Sequence, residues 1–462
     1  MSILGLLDSE KFAAQRFKNV RRSVFYFYPN GASPMIGLIS LLEDEDTNDP
    51  EFSWHEKVKD DQRTTTTGNT TGVFITNTGS NADAANPFTV AAAGTLRIIV
   101  VDATKFRVGH IVRIGPAPVS TGGTAYIQGH VSAVYGGTGA GGLTGSGGTH
   151  QGIDVRLNEA ATNISNAASS VGLEVLIVGM AASEGQVGAA STNWNLPINP
   201  GNYCQIMRTP FQLTGTAAKT SATFDETGPY KDKAKEATIN HNQEMEKNFI
   251  FGRKFKTTDA TTGLPLRFTA GVLWFLEQWE VVTGGGALNS YNRLGATADT
   301  DDDKRIITNA SGVVNEKTYD KYLERLFRVT NNKTNEKLVL CGSGFLLVMN
   351  QLYRTKSVLN VQQGTKETTY GMTVVSHLTP FGTVHYRTHP LFSENPTLRF
   401  AALFLDIHNL KYRYLQGRDT ALLKHRQPNN ADYREDEFLT ECGLELRLPQ
   451  SHMFMQNVLD YA

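Results

Sequence analysis

The sequence predicts an α+β protein that carries an inserted all-β module, and three observations support this. Helical and strand patterns are mixed without the strand–helix alternation of a parallel α/β sheet. Residues 64–207 contain only eleven charged side chains and are dominated by Thr, Gly, Ala, Asn and Ser. A long, charge-rich helix is predicted over 230–252, directly after an extended segment. At 462 residues, the chain is long enough for two or three domains.

The overall composition argues against several functional classes. Basic and acidic residues are balanced at 44 and 45, for a net charge of −1, so neutralising phosphates is not expected to be the main task. The three cysteines, Cys204, Cys341 and Cys442, are far apart and lack metal-ligand spacing, which predicts buried, reduced thiols. The sequence has no run of 18 apolar residues, so no helix is predicted to span a membrane.

Residues 1–60 are predicted to form an N-terminal arm. Phe12, Phe17 and Val20 have a loose helical spacing, and a strand is predicted over Val24–Tyr28. Basic side chains surround the helical pattern: Lys11, Arg16, Lys18, Arg21 and Arg22. Contact with nucleic acid and a solvated helix face both remain open, while contact with a partner subunit is favoured.

The weakly charged region is predicted to hold a β-barrel-like module at about 80–185. Turn signals separate five strand patterns: Thr95–Val101, His110–Gly115, Ala125–Tyr135, Gly152–Asn158 and Leu173–Gly179. The segments 64–69 and 185–195 are polar, and we expect them to be linkers at its edges.

The helix over 230–252 is predicted to pack on one side only. Pro229 suits its first turn. A thin line of side chains would face the protein: Ala234, Thr238, His241, Met245 and Phe249. Charged side chains would occupy the other faces: Lys231, Asp232, Lys233, Lys235, Glu236, Glu244, Glu246 and Lys247.

The remainder of the chain alternates irregularly between helix and strand. Three further helices are predicted. A short apolar helix spans Ala270–Trp279, an amphipathic helix runs from its cap at Asn315 to Val329, and another helix spans Gly342–Tyr353. The predicted strands are Lys337–Cys341, Met372–His377, Thr383–Arg387, Leu398–Ile407, Lys411–Leu415 and Phe438–Leu448.

None of the motifs that suggest chemistry has the required context. Gly137, Gly139 and Gly142 fit a dinucleotide-binding spacing, but no helix follows to hold a phosphate, so a hairpin tip is expected. The run 301–303 of three aspartates lacks the spaced ligands of a calcium loop and is expected to be solvated. The run 342–344, Gly-Ser-Gly, does not have the spacing of a nucleophile elbow.

His385 and His389 have a spacing that could hold a metal on a helix, but they fall on a predicted strand, about 13 Å apart. We expect them to be surface or interface histidines. The sequence therefore predicts no catalytic, cofactor-binding or metal-binding residues, no cofactor and no enzyme activity.

Four segments carry a resemblance to a known family. They are 202–216 leading into the helix 230–252, the hairpin Thr379–Val384, the strand pair Leu403–Asp406 and Leu410–Leu415, and the strand Thr440–Leu446. In order and spacing, the chain resembles the major capsid proteins of tailed bacteriophages. These proteins have the Hong Kong-phage-type capsid fold, and the nearest resemblance is to the branch with an enlarged extended loop.

This resemblance implies a division of the chain. Residues 1–60 would be the N-terminal arm, and 61–227 the extended loop with its β module. Residues 228–310 would form the peripheral domain around the spine helix, and 311–430 mainly the axial domain. Residues 431–462 would return as a strand to the peripheral domain.

The implied function is a major head protein that self-assembles, as hexamers and pentamers, into an icosahedral virion shell around double-stranded DNA. The implied partners are other copies of the chain, a portal, scaffold or decoration proteins, and DNA held without sequence specificity. The protein would be made in the host bacterial cytoplasm, and no membrane partner is implied. The alternatives are a β-rich tail adhesin and a bacterial nanocompartment shell protein of the same fold.

Two expectations concern processing. The founding member of the fold joins an extended-loop lysine to a neighbour's asparagine, whereas Lys105 is the only lysine between 64 and 207. Because Lys105 falls inside the predicted module, we expect a non-covalent shell. We also expect the mature protein to keep its N-terminus.

Overall fold

The computed structural model describes most of the chain. The described residues are 35, 44–57, 62–67, 74–76, 88–119, 124–136, 143–145, 148–164, 172–182, 184, 197–219, 229–280, 305–309, 311–328, 335–355, 363–369 and 372–461. The predicted features at 1–34, 137–142 and 301–303 therefore lie outside the described residues, as does Val329.

The chain folds as two compact units, one formed by residues 57–198 and the other by the segments on either side of it. In the described part of the chain, two short strands of the larger unit come first and the strands of the smaller unit follow. They are β1 (Asp44–Thr47), β2 (Glu51–Ser53), β3 (Arg63–Thr65), β4 (Phe74–Thr76), β5 (Phe88–Val90), β6 (Thr95–Ile99), β7 (His110–Pro118), β8 (Thr124–Tyr135), β9 (Leu143–Gly145), β10 (Gly148–His150), β11 (Gly152–Leu157), β12 (Ala161–Ile164) and β13 (Glu174–Met180).

The smaller unit is a closed antiparallel barrel. Its strands are hydrogen-bonded in the order β3-β13-β7-β8-β11-β6, and β4 pairs with β6. The chain after β3 closes the ring, because Thr66 bridges to Val100 and the N–H of Val101 donates to the carbonyl of Thr65 at 3.0 Å. Ile98, Val112 and Val155 are fully buried in its interior. Closure removes exposed strand edges, which otherwise invite pairing with other chains.

The predicted all-β character of this region is confirmed, with one correction. Each of the five predicted strands has a counterpart in the barrel. The segment from Thr64 to Thr67 is not a linker, because Thr64 and Thr65 lie in β3 and pair with Val175 and Glu174 of β13. A run of threonines is as compatible with a strand as with a loop, since β-branched side chains fit a pleated surface.

The larger unit contains the remaining elements. Its further strands are β14 (Gly201–Tyr203), β15 (Gln205–Thr214), β16 (Phe255–Thr258), β17 (Pro265–Phe268), β18 (Ile306–Thr308), β19 (Val313–Val314), β20 (Glu336–Cys341), β21 (Gln363–Thr369), β22 (Met372–Thr379), β23 (Gly382–Thr388), β24 (Ala402–Leu405), β25 (Leu410–Leu415), β26 (Ala421–Leu423), β27 (Tyr433–Leu446), β28 (Met453–Gln456) and β29 (Asp460–Tyr461). Its helices are α1 (Gly215–Lys219), α2 (Pro229–Phe251), α3 (Val272–Glu280), α4 (Glu316–Arg328), α5 (Ser343–Thr355) and α6 (Pro390–Glu394). Strands and helices are mixed, which confirms the predicted α+β class.

Two sheets organise this unit. One is mixed, in the order β18-β28-β24-β20-β23-β22-β21, and it shares a core with α4 and α5 that includes Tyr319, Leu326 and Phe345. The other has the order β1-β25-β27-β15, with β26 also paired to β27. The predicted cap of α4 is confirmed, because Asn315 Oδ1 accepts the N–H of Thr318 at 2.8 Å. The strand predicted at Leu398–Ile407 is shorter, at Ala402–Leu405.

Candidate functional site: an ion-paired sheet and its helix

The long helix α2 packs on one face of the sheet that contains β15 and β27. Its buried side chains are Ala237, His241, Met245, Glu246, Phe249 and Ile250. The one-sided packing was predicted, but the buried line differs. Thr238 is exposed and its hydroxyl donates to the carbonyl of Ala234 at 2.8 Å, while Ala237 takes the inward position. The apolar line was too sparse to fix the helix rotation to within one residue.

His241 joins α2 to both strands. Its Nδ1 lies 2.9 Å from the hydroxyl of Thr209 on β15, and its Nε2 lies 2.8 Å from the hydroxyl of Thr440 on β27. Burial lowers the pKa of His241. Since each hydroxyl can either donate or accept, the neutral imidazole is fully satisfied here.

Glu246 belongs to the interior and not to a solvated face, which corrects the prediction. Its carboxylate is hydrogen-bonded to His389 Nε2 and also accepts the backbone N–H of Met35 at 3.1 Å. His385 is also buried, and its Nδ1 lies 2.8 Å from the hydroxyl of Ser376. The prediction that His385 and His389 lie at a surface or interface is therefore wrong. Both are interior residues of a single chain: His385 lies on β23 beside β22, and His389, directly after β23, faces Glu246 on α2.

The other face of β27 carries a row of buried carboxylates. Side chains alternate along a strand, so Glu437, Glu441 and Glu445 share the face opposite α2, while Thr440 points towards the helix. The three carboxylates are buried. Strand β27 is central in its sheet, so this row of carboxylates lies in the middle of the sheet.

Each of these carboxylates is paired with arginine. The pairs are Glu437 with Arg208 and Arg426 (2.5 and 3.3 Å), Glu441 with Arg418 (2.5 Å), and Glu445 with Arg413 and Arg447 (2.5 Å each). The guanidinium groups are provided by β15, β25 and the neighbouring loops. Buried carboxylates need such partners, because an uncompensated buried charge is strongly destabilising. The ladder therefore ties β27 to β15, β25 and the neighbouring loops through buried carboxylates.

A further buried ion pair stabilises the mixed sheet. Lys337 Nζ donates to Asp406 Oδ2 at 2.7 Å, and both side chains are about 1% exposed. Burial lowers the pKa of Lys337, and the adjacent Asp406 opposes this shift. Because the pair lies within the sheet core, we assign it a structural role.

In the described part of the chain, neither a metal-binding cluster nor a reactive thiol is found. No group of three His, Cys, Asp or Glu side chains in those residues could hold a metal ion. The thiols are buried, and burial raises the pKa of Cys204 to about 11 and that of Cys341 to about 12, so neither is a ready nucleophile. Gly342 is a packing position, because a Cβ there would lie 2.2 Å from the carbonyl oxygen of Arg399.

Two further findings concern the surface. Lys105 lies on the barrel, and its Nζ donates to the backbone carbonyl of Arg63 at 2.9 Å. Among the helices that the structure describes, none is both long enough and apolar enough to cross a membrane.

The long helix crosses a sheet that arginine–carboxylate pairs tie together, which is a scaffold arrangement. Comparison with known proteins agrees: the family model for the SU10 major capsid protein matches residues 9–459. The chain belongs to this family and is a phage major capsid protein, a structural protein of the virion shell. The predicted resemblance to phage major capsid proteins is thereby confirmed.

Individual relatives are more distant. The chain is similar to the major capsid protein of Pseudomonas phage PaMx41, with 24% identity over 316 residues that cover 65% of this chain and 69% of the relative. Among solved structures, Mycobacterium phage Adephagia has a TM-score of 0.40 at 8% identity and covers 96% of this chain and 92% of that chain. The holo-SrpI encapsulin complex of Synechococcus elongatus PCC 7942 has a TM-score of 0.37 at 11% identity. That match covers 57% of this chain and 78% of the encapsulin chain. At these TM-scores the structural likeness carries no argument, and the assignment rests on the family match.

Proposed function

We propose that this protein assembles into the icosahedral head of a tailed double-stranded DNA phage, as hexamers and pentamers. The observation that supports the proposal is the family match over 9–459, which covers nearly the whole chain. The arginine–carboxylate ladder suits this role, because a subunit that meets several neighbours at fixed angles needs a sheet whose register cannot slip.

The proposed division of labour follows the boundaries predicted from the sequence. Residues 1–60 form the arm and 61–227 the extended loop, with the module at about 80–185. Residues 228–310 form the peripheral domain, 311–430 mainly the axial domain, and 431–462 the returning strand. Two observations support a separate module: residues 57–198 are compact, and their barrel has its own apolar core.

The proposed partners are other copies of the chain, a portal, and scaffold or decoration proteins. Packaged DNA would be held without sequence specificity, which agrees with a net charge of −1 and local clusters of basic residues. Synthesis in the host bacterial cytoplasm precedes assembly in this scheme.

We also propose that the shell is non-covalent and that the protein has no enzyme activity. The Lys105 ammonium is hydrogen-bonded to the backbone of its own barrel. A lysine that attacks an asparagine amide must instead be neutral and held against that amide. Particles boiled in SDS with reductant should give one band near 50.7 kDa. A ladder of dimers and larger rings would overturn this proposal.

Assembly itself is tested by expressing the chain alone and with a phage scaffold. Sedimentation and negative-stain electron microscopy should show capsomers or closed shells. A monomer that persists at every salt and protein concentration would contradict the proposed function. Shells that enclose enzymes and lack DNA would instead support the nanocompartment alternative.

A further inference from the structure

The hairpin β16–β17 presents its apolar face to solvent. Phe255 is 58% exposed, Leu266 43% and Phe268 36%, and Leu264 in the connecting loop is 64% exposed. These two strands form a separate two-stranded sheet. An isolated hairpin of this size is only marginally stable in water. Such a hairpin needs support on at least one face.

The strand register separates its two faces. Phe255 pairs with Phe268 and Thr257 with Leu266, so these four side chains share one face. The rings of Phe255 and Phe268 are 6.2 Å apart. Lys256, Arg267, Thr258 and Pro265 share the opposite face.

The base of the charged face meets its own subunit, whereas Thr258, next to the loop, is exposed. Lys256 Nζ is ion-paired with Glu51 Oε1, and Arg267 Nε lies 3.8 Å from the same oxygen. At the base of the hairpin, the N–H of Thr269 donates to Gln205 Oε1 at 3.0 Å. The usual arrangement, apolar inside and charged outside, is therefore reversed.

The loop of the hairpin is held by its own hydrogen bonds. Asp259 accepts the N–H of Thr261 at 3.0 Å and the hydroxyl of Thr262 at 2.6 Å, and its backbone N–H donates to the carbonyl of Leu264 at 2.9 Å. Gly263 adopts a φ of +70°, which favours glycine. The apolar face is thus presented in a fixed shape, without the ordering cost that a mobile loop would incur on binding.

We infer that the apolar face of this hairpin, formed by Phe255, Thr257, Leu266 and Phe268, binds a second copy of this chain. The inference rests on the proposed function and names one contact within it. Phe255, Leu266, Phe268 and the loop residue Leu264 together expose on the order of 400 Å² of surface. A stable dimer needs about 800 Å² from each partner. The face is therefore too small to hold a dimer alone and suits one of several weak contacts repeated around a shell.

A matched pair of variants tests which face makes the contact. Thr257→Asp places a charge on the apolar face, and Thr258→Asp places the same charge on the opposite face one residue later. We expect Thr257→Asp to abolish shell formation and Thr258→Asp to assemble like the wild type. Equal assembly of both variants, or equal failure of both, would overturn the inference. Failure of the wild type to assemble would instead contradict the proposed function.

A second measurement does not depend on the charged variant folding. The three native thiols are buried, so Thr257→Cys and Thr258→Cys each introduce one reactive thiol into a quiet background. Labelling by maleimide in assembled shells, relative to unassembled subunits, should be slowed at least about tenfold at position 257 and little at position 258. No difference between the two positions would contradict the inference.

The identity of the partner is read from a cross-link. Thr257→Cys labelled with a benzophenone maleimide and irradiated in shells should give a product of twice the chain mass. Peptide mass spectrometry should place both ends in copies of this chain. A product joined to a different virion protein would overturn the assignment of a second copy.

Discussion

Nδ1 of His452 accepts the backbone N–H of Asp406 at 3.2 Å. On the other side of the ring, Nε2 lies 3.3 Å from the carbonyl oxygen of Arg447, where it can only donate. These two bonds require the neutral imidazole with its proton on Nε2. A second proton on Nδ1 would point at an N–H donor inside a fully buried site. Burial accordingly lowers the pKa of His452 to about 4.

His452 should make the protein sensitive to acid. Its folded pKa lies below the unfolded value of about 6.5, so the unfolded chain binds more protons between those two values. This stability is therefore fully present above about pH 6.5 and is lost as the pH falls towards 4, by up to ~3 kcal/mol. Urea unfolding of wild type and His452→Asn across pH 4–7 should show a shallower loss in the variant, which keeps an acceptor towards Asp406. Parallel curves would contradict this assignment.

The buried pair of Lys337 and Asp406 should show strong energetic coupling. Lys337→Met removes the ammonium that faces the buried Asp406 carboxylate, and we expect a loss of roughly 3–5 kcal/mol. The double variant Lys337→Met/Asp406→Asn should lose much less than the sum of the two single variants, because both charges of the pair are removed together. Chemical denaturation of all four proteins measures the coupling, and additive losses would show that the pair does not interact.

Asn202 should be a stability determinant of the larger unit. Its amide donates to the carbonyls of Leu444 (2.7 Å) and Ala270 (3.1 Å), and its Oδ1 accepts the N–H of Ala270 at 2.8 Å. Asn202→Ala leaves buried backbone groups unsatisfied and should cost roughly 2–4 kcal/mol. The exposed Asn240→Ala serves as the control and should change the unfolding midpoint very little. Equal midpoints for the two variants would refute the role given to Asn202.

A glycine in the barrel offers a test of whether the smaller unit folds independently. A Cβ on Gly129 would lie 2.3 Å from the carbonyl oxygen of Arg156, whereas one on Gly136 would meet nothing within 4 Å. Gly129→Ala should destabilise the barrel by roughly 1–3 kcal/mol, and Gly136→Ala should not. Hydrogen exchange should increase in residues 57–198 only. Faster exchange throughout the chain would show that the units unfold together.

The sequence predicted local elements well because local patterns specify them. The helix expected over 230–252 is found at Pro229–Phe251, and the five strands of the barrel come from alternating segments between turn residues. Glu437, Glu441 and Glu445 also left a usable signal, because odd-numbered positions of one strand share a face. That spacing could have indicated a charged row before the structure was available.

Other parts of the candidate site depended on long-range packing. Arg208 pairs with Glu437 from 229 positions away, and Glu246 meets His389 across 143 positions. No local pattern specifies such partners, so Glu246 was expected on a solvated face and His389 at a surface or interface. Likewise, the outward direction of Phe255 and Phe268 follows from the anchoring of Lys256 and Arg267 to Glu51. The sequence alone thus determined the α+β class, the barrel strands, the long helix and the family resemblance, because periodicity and turn chemistry act over a few residues. Only the tertiary structure decided which charges are buried and which apolar face is exposed, because those depend on contacts between residues far apart in the chain.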